Sequence, residues 1–228
     1  QLMIILLSSC AQNSANKELH DPLESMNRSV FKFNQGLDKY VFKPINTEYE
    51  KLPENVKKGV SNHAKWASTP VTIVNSAIQL EAENFSTSSI KFLLNSLTLG
   101  FYDLDPKTKY KTRDFGSSLA KYNVSSGPYI VLPILGPRSL RHFSGNIMDQ
   151  SVSNRPKNYS YNSTTLPMSI LSNRNTYSNV IEDIYNAQDP YLKAKILYTE
   201  NRFNSISSTK LLEQQKQDEQ DEFEKLLD

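Results

Sequence analysis

A single cysteine, Cys10, stands in 228 residues, so no intrachain disulfide is possible and stability must come from packing. Long apolar runs are missing too. The most continuous one, Leu2 to Leu7, has six residues, against the ~20 that a bilayer-spanning helix requires. Net charge is only +2, with both signs mixed along the chain, which excludes the basic footprint of a nucleic-acid binder. Enzyme signatures are also absent. His20, His63 and His142 are far apart and form no H-E-x-x-H, and no G-x-S-x-G elbow occurs. Asp114-Phe115-Gly116 spells a magnesium-binding triplet without the glycine-rich loop or catalytic segment that would give it meaning. Asp103 and Asp105 flank a Pro106 turn more naturally than they share a metal. These absences argue against an enzyme and against any resident cofactor or metal, although catalytic groups can converge in space without a linear motif.

What is present begins with the cysteine. Leu7-Ser8-Ser9-Cys10 follows the apolar run and precedes a polar stretch. It has the form of a bacterial lipobox: small residues admit the signal peptidase, and the thiol takes a diacylglycerol thioether. The front of the chain reads as a trimmed precursor, residues 1–10 being the remnant that ends in the lipidated Cys10. Ala11 after the cysteine, rather than Asp, favours an outer-membrane destination. Residues 11–20 read as a flexible tether.

From residue 21 the periodicity is helical. Asp21-Pro22-Leu23-Glu24 reads as a capped helix start. Leu23, Met26, Val30, Phe33, Leu37, Tyr40 and Val41 follow at spacings of three and four. Phe31 and Phe42 lie off this stripe beside Arg28, Lys32 and Lys39. They are either ordinary exposed aromatics or a membrane-facing edge that touches lipid headgroups. A second helix opens at Pro53 or Glu54 and is expected to stop at Thr69-Pro70. A third carries Val71 to Ile78, and a fourth runs from Phe85 to Leu97 and ends near Gly100. Between Phe101 and Pro137, prolines and glycines are too frequent for long helices, and YIVLPIL (129–135) reads as a buried extended segment or poor edge strand. Helical spacing returns at Leu140 to Met148. Residues 151–165 read as a polar loop, and Asp189-Pro190-Tyr191 caps a last helix. The charged tail, 206–228, is expected to be helical when docked and frayed when free. The expected fold is mainly α.

Two stretches, DPLESMNRSVFKFNQGLDKYVFKP (21–44) and DFGSSLAKYNVSSGPYIVLPILGPRSLRHFSGNIMD (114–149), resemble the MlaA (VacJ) family of outer-membrane lipoproteins. FLLNSLTLGFYDLD (92–105) and DPY (189–191) extend the likeness over roughly residues 21–200. The resemblance implies a ring-shaped single domain, residues 21–205, of amphipathic helices around a central channel, with an irregular proline- and glycine-rich centre. It implies a lipid-anchored outer-membrane component of a retrograde system. That component would remove mislocalised phospholipids from the outer leaflet and hand them to a soluble periplasmic carrier, alongside a trimeric porin. The loop between D-F-G and G-P-Y is implied to gate the channel, through Asn123, Ser125 and Gly127. Glycines usually stand in the family where Asn123 and Ser125 stand here, and His142 replaces a common Asp. A structural lipoprotein that binds a membrane partner without moving lipid shares the lipobox and the helices. A periplasmic lipid hydrolase would need a nucleophile. The acidic end (217–228) is either a contact for the carrier or a solvated terminus.

If Cys10 carries the anchor, Cys10→Ala abolishes incorporation of radiolabelled palmitate and moves the chain from the membrane to the soluble fraction.

Overall fold

Polar side chains, rather than apolar ones, fill most of the interior. The computed structural model describes residues 21–153 and 161–206. Cys10, the tether at 11–20 and the tail beyond Ile206 lie outside the described residues. Among those described, the buried apolar side chains are Phe31, Tyr49, Tyr129, Val131, Tyr191 and Ala194, beside a much longer series of buried polar ones. Large apolar side chains instead face outward: Phe33 is 56% exposed, Leu80 83%, Leu93 66% and Leu97 80%. Each apolar Å² left in water forfeits about 25 cal/mol. Outward apolar surface on this scale marks a surface that contacts something other than water. No helix among the described residues is long and apolar enough to cross a membrane.

The chain is a single, mainly α domain. Helix α1 (Glu24–Leu37) passes through a π-helical turn (Asp38–Phe42) into α2 (Lys43–Glu50) without a break in direction signals. The wide turn falls just ahead of Pro44, which removes an N–H from the helical ladder. Asp21 does not cap α1 as expected. Its carboxylate turns inward to Asn27, Tyr191 and Lys195. The apolar stripe of α1 and the π turn is split: Met26, Phe33, Tyr40 and Val41 are exposed, while Val30 packs against the core cluster and Leu37 lines a cavity. Phe31 is buried in an edge-on aromatic cluster with Tyr185 and Tyr191. The expected membrane-facing role for Phe31 is therefore corrected: polar contacts fix the inner face of α1, and Phe31 shares that face.

Helix α3 (Glu54–Ile78) runs straight through the predicted stop at Pro70. Its packing against three later helices and α4 (Ala82–Ser96) outweighs the lost hydrogen bond. Helix α4 ends where Leu99 and Gly100 take positive φ and the Gly100 N–H donates to the Asn95 carbonyl. A Cβ on Gly100 would lie 2.4 Å from the Trp66 Cβ, so this turn needs glycine for space as well as for backbone angle. Asp103 pairs with Lys91 at 3.0 Å, and the Asp105 carboxylate accepts from the Thr108 N–H, which makes this segment a braced turn.

Helix α5 (Phe115–Lys121) starts at a capping box: the Ser117 N–H donates to Asp114 Oδ1 at 2.7 Å, and the Ser117 hydroxyl meets the Asp114 N–H. Strands β1 (Tyr129–Leu132) and β2 (Gly136–Ser139) form one antiparallel hairpin, with Tyr129 opposite Ser139. Helices α6 (Leu140–Ser153), α7 (Tyr161–Thr176), α8 (Ser178–Tyr185) and α9 (Pro190–Ile206) follow. The expected loop at 151–165 is shorter than that, because α6 extends to Ser153 and α7 begins at Tyr161.

The outer edge of β1 is covered by side chains. Asn27 donates to the Tyr129 carbonyl at 3.0 Å and accepts from the Val131 N–H at 2.8 Å. Asn34, two turns along α1, does the same with the Leu132 carbonyl and the Ile134 N–H. An amide carries both a donor and an acceptor, so two asparagines on one helix face stand in for a third strand. Neighbouring contacts then close on themselves, from α1 through the hairpin to α9, α5, α3, α7 and α2, and back to α1.

Helix α6 packs against α5, outside this circuit, through two glycines. A Cβ on Gly145 would sit 2.3 Å from the Gly116 backbone nitrogen. Gly145→Ala must push the helices apart, with an expected loss of about 3 kcal/mol, seen as a lowered midpoint in urea unfolding.

Candidate functional site: an amphipathic cavity

α1, the π turn, the tip and second strand of the hairpin, α7, α8 and α9 surround a cavity of about 600 Å³. That volume falls among small-molecule sites, which span roughly 300–1,000 Å³. Phe42, Leu135, Leu166, Ile170, Ile181 and Leu197 give it apolar walls. The walls also carry charge. Arg174 reaches from α7 to the π turn, with Nε 2.7 Å from Asp38 Oδ1 and Nη2 3.2 Å from Oδ2. Its Nη2 also lies 3.3 Å from Glu182 of α8, and Glu182 in turn pairs with Lys43 at 2.8 Å. The Lys43 ammonium, with help from Arg174, holds the Glu182 carboxyl below its ordinary range. Burial pushes the Tyr185 hydroxyl up to about 12, so it stays a neutral donor. Arg138 of β2 also lines the cavity.

Three clamps position these walls. At the first, Arg28 grips Asp189 with two bonds of 3.0 and 2.8 Å while its guanidinium lies 4.4 Å over the Tyr191 ring. Asp189 also caps α9 by accepting from the Leu192 N–H. Close by, Asp21 is held low despite burial by Tyr191, Asn27 and Lys195. At the second, Asp114 and Arg202 form a two-bond pair of 2.6 and 2.8 Å that ties α5 to α9. Burial would raise the Asp114 carboxyl, but Arg202 more than reverses that. At the third, Asn75 donates to Asp149 at 2.9 Å, and Asp149 also accepts from the Phe115 N–H. Burial nonetheless leaves the Asp149 carboxyl above its ordinary value. Burial, aided by Arg202 and Arg138, pushes His142 down to about 4, so it is neutral beside the Tyr198 hydroxyl at 3.0 Å. Among the described residues no group of three His, Cys, Asp or Glu is placed to hold a metal.

The residues singled out from sequence fall in two places. Phe31 and Phe42 both line the cavity, Phe31 buried and Phe42 half-buried. Asn123, Ser125 and Gly127 lie on an exposed loop outside the cavity wall. Asn123 has φ +60° and Gly127 φ +66°, whereas Ser125 is not among the positive-φ residues. The loop is anchored between them by Arg141, whose N–H donates to the Ser126 carbonyl at 3.0 Å and whose side chain reaches the Val124 carbonyl. Sequence reasoning missed Asp38, Arg174 and Arg138. Asp38 and Arg174 are 136 positions apart, and Arg174 sits among polar neighbours that resemble a solvated helix surface. Arg138 had a local signal, a cation directly behind the Gly136-Pro137 pair.

The family model described as MlaA lipoprotein matches residues 19–205. The chain belongs to the MlaA lipoprotein family. A Rickettsia prowazekii protein is 34% identical over 151 residues, which are 64% of this chain and 60% of that protein. The Haemophilus influenzae protein named intermembrane phospholipid transport system lipoprotein MlaA is 28% identical over 226 residues, covering 93% of this chain and 90% of its own length. A solved structure described as the structural basis for maintenance of bacterial outer membrane lipid asymmetry superposes with a TM-score of 0.73 at 25% identity. It covers 82% of this chain and 99% of its own. The segments that carry the MlaA likeness are those that build the clamps: D-P-L-E and N-R meet D-P-Y at the first, and D-F-G meets Asp149 at the third.

The Arg28–Asp189 pair also sets an acid response. Its hydrogen bond from Arg28 holds Asp189 at about 2, below 3.8. The folded chain thus binds fewer protons there than the unfolded chain, so the stabilisation is present above pH 3.8 and is lost as pH falls toward about 2. Both side chains are over a third exposed, which limits the effect to about 1 kcal/mol. Asp189→Asn is expected to lower the unfolding midpoint at neutral pH and to flatten its decline across that acid window.

Proposed function

We propose that this chain is a lipid-anchored component of the outer membrane that moves phospholipid through its amphipathic cavity and maintains lipid asymmetry between the leaflets. The observation that carries this reading is the inverted distribution of polarity: apolar side chains outside, paired charges inside, and a cavity that has both. An outward apolar surface formed by Met26, Phe33, Ile90, Leu93, Leu97, Ile147 and Phe203 suits contact with acyl chains of one leaflet. The cavity provides a route for a molecule that is itself half apolar and half polar.

Energetics explain why an enclosed route is needed. Wetting an acyl chain costs about 0.8 kcal/mol per methylene, so releasing a two-chain lipid of about thirty methylenes costs on the order of 20 kcal/mol. No passive protein supplies that. The lipid has to pass from one apolar surface to the next, so the proposal includes direct hand-off to a soluble periplasmic carrier, with the retrograde direction taken from the family resemblance. A trimeric porin is the expected neighbour for the outward apolar surface, and Cys10 is the expected anchor on the periplasmic side. The relatives named for phospholipid transport support this reading.

The loop with positive φ at Asn123 and Gly127 serves in this proposal as the gate, hinged at those two residues. The chain should restore detergent resistance and lipid asymmetry to a Gram-negative strain deleted for its own MlaA. Leu135→Arg, in the cavity wall, should reach the outer membrane and fail to restore either. Asn123→Gly combined with Ser125→Gly should alter detergent sensitivity relative to the parent chain. Failure of the unaltered chain to restore asymmetry would sink the transport reading, and an unchanged double variant would remove the loop from the gate.

A further inference from the structure

The cations around the cavity are not equivalent. Arg174 is fully engaged by Asp38 and Glu182. Arg138, on the opposite wall, is engaged by no carboxylate among the described residues. Its one hydrogen bond is from Nη1 to the carbonyl of the preceding Pro137 at 2.7 Å, and its Nε is buried without a partner. The groups behind it make matters worse for a lone cation. Arg141 and Arg202 also carry buried Nε atoms without partners, and Asp114 is already committed to Arg202. His142 is neutral, and the Tyr198 hydroxyl is occupied by the Ser139 N–H and His142. Burial and the nearby Arg202 charge both disfavour the protonated Arg138. A half-buried cluster with more positive than negative charge is costly unless an anion completes it.

A guanidinium offers a planar fork of donors matched to two oxygens of a phosphate. Apolar wall residues Leu135 and Leu197 lie in the same cavity, together with the amides of Asn34 and Asn201. We infer that Arg138 is an anion subsite in the cavity wall that receives the phosphodiester of a glycerophospholipid while the acyl chains lie against the apolar walls. The subsite rests on the transport reading and adds to it the chemical group by which the cargo is recognised. It also assigns unequal roles to the two arginines of the cavity: Arg174 braces the wall and Arg138 binds.

The test is equilibrium binding by the full chain, purified in a neutral detergent, to dioleoyl phosphatidylglycerol and to dioleoylglycerol, which has the same chains and no phosphate. The phospholipid should bind about tenfold more tightly, the contribution expected of a charge-assisted hydrogen-bonded pair. Arg138→Gln should erase that preference and leave dioleoylglycerol binding unchanged, while Arg138→Lys should retain part of it. Inorganic phosphate at millimolar concentration should weaken phospholipid binding only. Equal binding of the two lipids by the unaltered chain overturns the subsite while leaving the cavity reading intact, and so does an undiminished preference in Arg138→Gln. Binding of neither lipid overturns the cavity reading itself. Inorganic phosphate that binds more tightly than the phospholipid assigns the subsite to a soluble anion and overturns the lipid assignment. The comparison in the unaltered chain decides the matter even if a variant is unstable.

Discussion

In the proposed function the outer face meets acyl chains, and lipid satisfies the preference of apolar side chains for one another equally well, so that preference cannot hold the fold together. Directional polar contacts must take over, and in this chain they do. Asn27 and Asn34 bind the backbone of β1, Asn75 and Asp149 join α3 to α6, and Asp114 with Arg202 joins α5 to α9. Each contact has a required distance and angle, so each specifies a single relative position of two elements. The cavity survives because its walls are fixed at such points instead of being drawn together by collapse.

The same logic explains which residues carry the family likeness. Asp114-Phe115-Gly116 looks catalytic in sequence and is architectural in space. The aspartate caps and clamps, the N–H of the phenylalanine is held by Asp149, and the glycine permits the closest helix approach in the fold. Residues that line the cavity are less conspicuous in sequence. Asp38 and Arg174 gain meaning only from each other.

Much of the fold could be read in advance. Helical spacing located α3, α4, α6 and α9, and YIVLPIL in the breaker-rich centre located the first strand of the hairpin. Three things were beyond reach for physical reasons. Pro70 was expected to stop a helix, and packing along the length of α3 carried the helix through it. Helix α7 has almost no amphipathic contrast and contains Pro167, so its helicity depends on its neighbours. The facing of α1 was not legible, because apolar periodicity marks a preferred surface without saying what lies beyond it. Phe31 shows the consequence: off the stripe, and buried. The positive φ at Asn123 and Gly127 falls on residue types that tolerate it, because that tolerance is a local property.

The two asparagines that cover β1 have an effect beyond positioning the hairpin. Exposed strand edges are templates on which foreign chains can add and polymerise. Here the outer row of β1 hydrogen-bonding groups is already spent on side-chain amides. A short strand pair that would otherwise invite mispairing is thereby made inert toward every other edge it encounters during export.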